Sequence, residues 1–208
     1  MLFRSVSSEP YITEAEHYRK KVVDSFGDGW DFGYHEVWVP KFNIDTENGR
    51  AFDKKISDYS RRVLELLKND EEETYIFAGV TYDYSVINGI ITVKISSSEG
   101  IQYSEGWSRT NCYYYDIAGD REITDFNEYL EILNIDYEKA VAEANKRVED
   151  TDEYGNRIVL TTDPEGDCPV NYIIFGNDFT EVGYYNSYGM GIDVTFAFEG
   201  ILDAVQRD

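Results

Sequence analysis

The dipeptide Asn88-Gly89 is the tightest local constraint in this chain. It separates two runs rich in Tyr, Val, Ile and Thr, residues 74–87 and 90–95. A type I′ turn needs positive φ at both central residues, and Asn-Gly supplies this at low steric cost. The pattern predicts a β-hairpin, and with it a sheet near the middle of the chain. Gly119-Asp120 marks a further turn, after a strand expected over Trp107–Ile117. Between these strands, the Ser/Gly-rich stretch 96–106 reads as a loop.

Helices flank this strand region. Phe52, Ile56, Tyr59, Val63, Leu66 and Leu67 recur at spacings of three and four, which predicts an amphipathic helix ending at the polar run 69–73. Thr13 and Glu16 have the spacing of a capping box, so a helix is expected over 14–25, stopped by Gly27, Gly29 and Gly33. Tyr34–Pro40 reads as a strand closed by proline. Two short helices are expected over 125–133 and 136–148, each opened by acidic residues that suit the helix dipole. A turn over 149–156, a short strand over 158–161, a loop over 163–169, strands over 171–176 and 192–198 and a frayed helix over 201–208 complete the reading. Grouped runs of this kind predict a single α+β domain. Its sheet is mostly antiparallel, with one long amphipathic helix packed on a face and short additional helices. The expected division is a helical, turn-rich extension over 1–33 and the α+β domain over 34–208.

Composition decides which partners to expect. The chain has 208 residues, 42% of them hydrophobic, enough for a core. It carries 41 acids against 19 Lys and Arg, a net charge of −22, which repels nucleic acids and anionic membranes. No run approaches the ~18 apolar residues of a membrane span, and MLFRSVSSEP lacks the apolar stretch of a secretory signal. As written, the chain is expected in the cytoplasm. The acids are uneven: Val148–Asp208 holds 13 acids and 2 bases, half of the net charge.

Catalytic chemistry finds little support. Cys112 and Cys168 stand apart, without a C-x-x-C pair; two thiols are expected, with one disulfide as the alternative. His17 and His35 are the only histidines, and no G-x-S-x-G elbow accompanies them, so both read as surface or packing residues. Asp150-x-Asp152-x-Tyr154-Gly155 begins like a calcium loop, but Tyr154 stands at the fifth position, which needs an oxygen ligand, and Thr161 at the twelfth, which needs a glutamate. No metal site or cofactor is expected. The glycines of Gly27-Asp28-Gly29-Trp30-Asp31 sit among acids that would repel phosphate.

From Tyr34 onward the order of elements resembles a known family. It is similar to the domain shared by the lysozyme-sensing anti-sigma factor RsiV and the accessory region of the peptidoglycan deacetylase PdaC. The resemblance rests on Val37-Trp38-Val39-Pro40 before the Phe52–Leu67 stripe and on the stretch from Tyr115 to Phe126. It also rests on Tyr172–Phe175, on Tyr184-Tyr185-Asn186-Ser187-Tyr188-Gly189 and on Val194–Phe196. The family's Gly-Gly-Ala-His-like loop has no histidine counterpart in Tyr103–Trp107. The resemblance implies a non-enzymatic, partner-binding domain, and a location outside the membrane if a signal was removed.

Together these features predict a non-enzymatic acidic domain that captures a basic protein: a lysozyme-like ligand, a toxin or a nuclease. In the latter cases the chain is an inhibitor or immunity protein that imitates nucleic acid. Tyrosine and tryptophan bury area with little rotamer loss, and a dense acidic surface speeds association with a basic partner. The expected contact residues are Tyr103, Trp107, Glu149, Asp150, Asp152, Glu153, Tyr184, Tyr185 and Tyr188. The competing reading is a carboxylate-based hydrolase acting on a glycan or peptide.

Overall fold

The computed structural model describes residues 10–21, 34–69, 75–101, 107–148, 157–166, 168–175, 179–185, 193–199 and 205–207. Strands β1 (Ile12–Lys21) and β2 (Tyr34–Phe42) precede helix α1 (Glu47–Asn69). Then come β3 (Tyr75–Ile87), β4 (Ile90–Ile101), β5 (Trp107–Asp116) and β6 (Arg121–Ile123). Helices α2 (Phe126–Ile132) and α3 (Tyr137–Arg147) lead to β7 (Val170–Phe175), β8 (Phe179–Tyr185) and β9 (Asp193–Glu199). β1 to β6 form one sheet in chain order, and β7 to β9 form a second. Every neighbouring pair is antiparallel except β2–β3. A parallel pair needs a crossover, and α1 provides it. The result is the mixed α+β domain expected from sequence, with one long helix and two short ones.

The Asn88-Gly89 turn sets the register. Their φ angles are 50° and 80°, as a type I′ turn requires. The turn places Ile87 opposite Ile90 and Val86 opposite Ile91, and pairing continues to Tyr75–Ile101. Alternation along β4 then serves two cores. Ile91, Val93 and Ile95, each at most 1% exposed, join Val37, Val39, Ala78, Val80 and Tyr115 under α1. Ile90, together with Ile87 and Tyr114, joins a second cluster with α2, α3, β7 and β8 on the other face.

α1 begins five residues before the apolar stripe. Thr46 caps it, its Oγ1 accepting from the Gly49 amide at 2.9 Å. Phe52, Ile56, Val63 and Leu67 are buried as expected, and Leu64 joins them. Leu66, however, is 55% exposed, because at 100° per residue it falls off the stripe that Val63 and Leu67 share. Phe42, Phe52 and Tyr115 meet edge to ring, with centroids 4.8–5.0 Å apart. The two short helices are capped by acids: Asp125 accepts from the Asn127 amide and Asp136 from the Lys139 amide.

Several expectations are corrected. Residues 12–21 form an edge strand instead of a helix, paired with β2 from Ile12–Phe42 to Lys21–Tyr34. A capping box is a local and weak preference, outweighed here by nine backbone pairs and the burial of Ile12. β1 therefore belongs to the main sheet, not to a separate helical extension; residues 22–33 lie outside the described residues. Pro40 does not close β2, which runs to Phe42 past a bulge on β1 between Glu14 and Glu16. Ser96–Ile101 continues β4 rather than opening a loop, since serines suffice where a strand face is not packed. β8 was not expected at all, its glycine and tyrosines reading as loop. Over 158–161 no strand forms: Ile158 and Leu160 are buried, and only Thr161 makes a bridge, to Pro169. The tail is held rather than frayed at 205–207: Val205 is fully buried and Gln206 bridges Ile135. The turns expected at 70–73 and 149–156 lie outside the described residues.

Replacing Gly89 by alanine tests the turn. The added Cβ would meet nothing within 4 Å, so the whole effect comes from the positive φ. Gly89→Ala should lose about 1–2 kcal/mol in urea unfolding, with the denaturant slope unchanged.

Candidate functional site

Two features of the surface stand out among the described residues: the end of the six-stranded sheet on which no described element packs, and an acidic flank around α2. The sheet face opposite α1 is graded along its strands. At the turn end Ile87 and Ile90 lie in the core. In the next row Ser85 Oγ donates to the Phe175 carbonyl at 3.1 Å, and Thr92 Oγ1 bonds Tyr129 Oη at 3.2 Å. One row on, Lys94 Nζ bonds both carboxylate oxygens of Glu181, at 2.9 and 2.8 Å, and lies 3.5 Å from Asp83. Tyr172 Oη donates to Glu181 Oε1 at 2.9 Å, its ring lying over Gly183. The side chains of Lys94 and Glu181 are only 14% and 11% exposed. This ion pair joins the two sheets and marks where the packed part of the face ends.

Beyond it the floor is made of small residues. Thr81, Ser96 and Thr110 form one row across β3, β4 and β5, and Gly79, Ser98 and Ser108 the next. They line a shallow groove of about 260 Å³. The Ser97 hydroxyl on β4 turns to the Arg109 carbonyl at 3.2 Å. The Gly79 row continues through Glu36 on β2 to Arg19 on β1. Beside them His17 stacks on Trp38, with centroids 3.7 Å apart and planes 15° from parallel, and its Nε2 lies 3.1 Å from Glu36 Oε1. Arg19 covers the Tyr34 ring at 3.9 Å.

The acidic flank is built by β6, α2 and the start of α3. Residues 116–138 hold eight acids and one base, Arg121, which pairs with Glu128 at 2.6 Å. Asp125, Glu131 and Glu138 are exposed, and Ile132 among them is 38% exposed. Thr162 Oγ1 donates to Glu138 at 2.7 Å and brings exposed Asp163 and Glu165 to the same side. By contrast α1 carries six bases and four acids. At the rim of the flank, Asp120 ties three elements together. It accepts from the hydroxyls of Tyr115 and Thr46, and its own carbonyl accepts from Asn48 Nδ2 at 2.7 Å. These hydroxyl donors, Tyr115 first, hold the Asp120 carboxyl below the ordinary range. Burial, and then the bond to Asp120, push the Tyr115 hydroxyl up to about 12.

The expected contact residues do not assemble as one described surface. Tyr184 is 1% exposed within the second core cluster, so its ring is not available to a partner. It belongs to β8, where alternation turns it inward with Val182. Tyr185 ends β8 opposite Asp193, and Trp107 opens β5 opposite Glu99. Tyr103, Glu149, Asp150, Asp152, Glu153 and Tyr188 lie outside the described residues. No disulfide joins Cys112 and Cys168, which both pack against the second core. Among the described residues no group of three or more His, Cys, Asp or Glu is placed to hold a metal ion. No described helix is long and apolar enough to cross a membrane. The α2 flank and the groove were both missed. Dense acids over 116–138 signalled the first; alternation of Ser and Thr with apolar residues from 90 onward signalled the second.

No protein-family profile matches the chain, and no curated protein matches it. Two solved structures that resemble it are DUF3298 family proteins. One is from Pseudomonas aeruginosa, at 13% identity and a TM-score of 0.47, covering 92% of this chain and 91% of that one. The other is from Bacteroides fragilis, at 13% identity and a TM-score of 0.35, covering 90% and 91%.

Two substitutions probe these contacts. Lys94→Met strands the buried Glu181 carboxylate and should cost roughly 3–5 kcal/mol in chemical denaturation, most of it recovered in Lys94→Met/Glu181→Leu. Asp120→Asn should weaken the fold at neutral pH. Because the folded carboxyl is held low, its contribution is full above the ordinary range of about 4 and fades as pH falls through the folded value. The stability gap between wild type and Asp120→Asn, followed by urea unfolding, should therefore narrow on acidification.

Proposed function

We propose that this protein is a non-enzymatic binding domain that captures a basic protein through its acidic flank. The observation that carries the reading is the segregation of charge. Residues 116–138 hold eight acids and one base; Glu122 pairs with Lys55 of α1 and Asp120 bonds Thr46, but Asp125, Glu128, Glu131, Asp136 and Glu138 lie on or beside α2 and α3, whereas α1 on the opposite face of the sheet has more bases than acids. A solvated surface needs both signs interspersed. A one-sided acidic surface instead focuses the field and steers a cation-rich partner into contact. Ile132 supplies an apolar anchor among Glu128, Glu131 and Asp136. Acids at 149, 150, 152 and 153 follow α3 in sequence and add to the charge on that part of the chain. The resemblance to the RsiV and PdaC domain supports the same class of activity, with a lysozyme-like protein as one form of partner.

Capture by this mechanism is salt-dependent. Surface plasmon resonance against lysozyme, with ribonuclease A and cytochrome c as further basic probes, should show one partner preferred and an association rate that falls steeply from low to physiological salt. Reversal to lysine at Glu128, Glu131 and Glu138 should slow association about tenfold or more while changing dissociation less. The same reversal at Glu149, Asp150, Asp152 and Glu153 shows whether that segment shares the contact. A flat salt profile, or an association rate untouched by either set, overturns the proposal.

A further inference from the structure

The geometry points to a second surface: we propose that β1 pairs with β1 of a second copy of this chain, antiparallel about a two-fold axis at Tyr18. Among the described residues β1 pairs with β2 alone, so its other side is an edge of the six-stranded sheet. An edge strand offers a row of backbone donors and acceptors to a further strand. The sequence of β1, ITEAEHYRKK, sorts charge by sign: Glu14 and Glu16 come first, Arg19, Lys20 and Lys21 last. Charged side chains and a bulge are the usual protection of an edge, but protection asks for no order of sign. An antiparallel copy does, because it lays the acidic half of one strand on the basic half of the other. Long-range charge agrees. The chain has a net charge of −22, yet β1 carries three bases against two acids. The acidic flank stands beyond β6, at the opposite edge of the sheet. Strands about 4.8 Å apart put the flanks of two copies roughly 50 Å from one another, several Debye lengths. Two such chains therefore meet at β1 with little repulsion.

The faces of β1 fix the axis. Glu16 bonds Lys68 of α1 at 2.6 Å, and Tyr18 packs against the core beneath α1. By alternation Lys20 shares that side. The register agrees, since Glu16, Tyr18 and Lys20 oppose Val39, Val37 and His35. His17 and Arg19 lie on the other side, against Trp38 and Tyr34. Directly opposite residues of an antiparallel pair share a face. With the axis at Tyr18, Glu16 of each copy opposes Lys20 of the other, and the two Tyr18 rings meet. Moving the axis to His17 sets Glu16 against Tyr18, and moving it to Arg19 sets Tyr18 against Lys20 and His17 against Lys21. Over the regular stretch neither shift opposes an acid to a base. The bond to Lys68 uses Oε1 of Glu16, and the second carboxylate oxygen can accept from Lys20 of the other copy. The bulge between Glu14 and Glu16 lies outside this span.

The test is sedimentation of the full chain from micromolar to millimolar concentration. The wild type should pass from monomer to dimer, a weak association in keeping with one shared pair of strands. Glu16→Lys and Lys20→Glu each set like charges opposite one another on both sides of the axis. Each should raise the dissociation constant about tenfold or more. An equimolar mixture of the two variants restores opposite signs and should dimerise about as tightly as the wild type. Tyr18→Cys tests the axis. Directly opposite Cα atoms lie within disulfide reach, so mild oxidation should link Tyr18→Cys into dimers beyond the wild-type level. Lys20→Cys, set opposite Glu16, should stay unlinked. The charge swap stands as a test by itself should the Tyr18 variant fold poorly. A chain that stays monomeric throughout would overturn the proposal and leave the edge to a foreign strand. So would a dimer that neither reversal weakens, a mixture no tighter than its components, no link at position 18 in a folded variant, or a link formed as readily at position 20. Dimerisation maps to β1 and is read without a partner protein, so it is separable from capture at α2.

Discussion

The register of the β3–β4 hairpin decides which side chains meet which layer. One face of β4 carries Ile91, Val93 and Ile95, and the other carries Ile90, Thr92, Lys94, Ser96 and Ser98. A slip of one residue would exchange these faces. It would put Lys94 under α1 and strand Ile91, Val93 and Ile95 among hydroxyls. The left-handed turn at Asn88-Gly89 forbids that slip locally, and the apolar face forbids it globally. The two constraints agree, as a sequence with one stable structure requires.

The graded face follows from this register. Along β4 the residues opposite α1 pass from apolar to hydroxyl to charged and back to hydroxyl. Packing follows the same order. Ile90 is in the core, Thr92 is bonded to Tyr129, Lys94 is bonded to Glu181, and Ser96 and Ser98 line open space. The second sheet therefore docks over only part of the first. A buried ion pair is weak evidence of stability. Its contribution here is position, since Lys94 has matching oxygens at only one placement of β8. Tyr172 enforces that placement, bonding the same carboxylate and covering Gly183, where a Cβ would lie 2.1 Å from the ring.

What the sequence made legible was whatever rested on local signals or on strong periodicity. The Asn-Gly turn, the α1 stripe apart from Leu66 and the two short helices opened by acids read correctly, because each acts within a few residues. The errors share a cause in long-range pairing. Residues 12–21 have the capping spacing of a helix, yet β2 needs a partner and Ile12 buries against it. Ser96–Ile101 looks like loop by composition, yet β3 and β5 pair with it on both sides. Tyr184 looks like a loop anchor, yet β7 and β9 make it the middle of a sheet. The site was less legible than the fold. A groove arises where residues from three strands come into line, and no single segment carries that alignment.

Charge and neutrality are arranged by the same architecture. The six-stranded sheet separates an α1 layer with more bases than acids from an α2 layer dense in acids. On the α2 side, the end of the sheet beyond Lys94 has a lining without charge. Like charges repel over about a Debye length, 8–10 Å at moderate salt, so acids gathered at α2 raise the cost of adding more nearby. The caps lower that cost, because Asp125 and Asp136 accept backbone amides at helix starts where the dipole favours an anion. Arg121 and Thr162 do the same for Glu128 and Glu138. Asp163 likewise accepts the Glu165 amide at 3.0 Å, which leaves Glu131 without such support among the described contacts of the flank, the point at which the basic partner proposed above would relieve repulsion most.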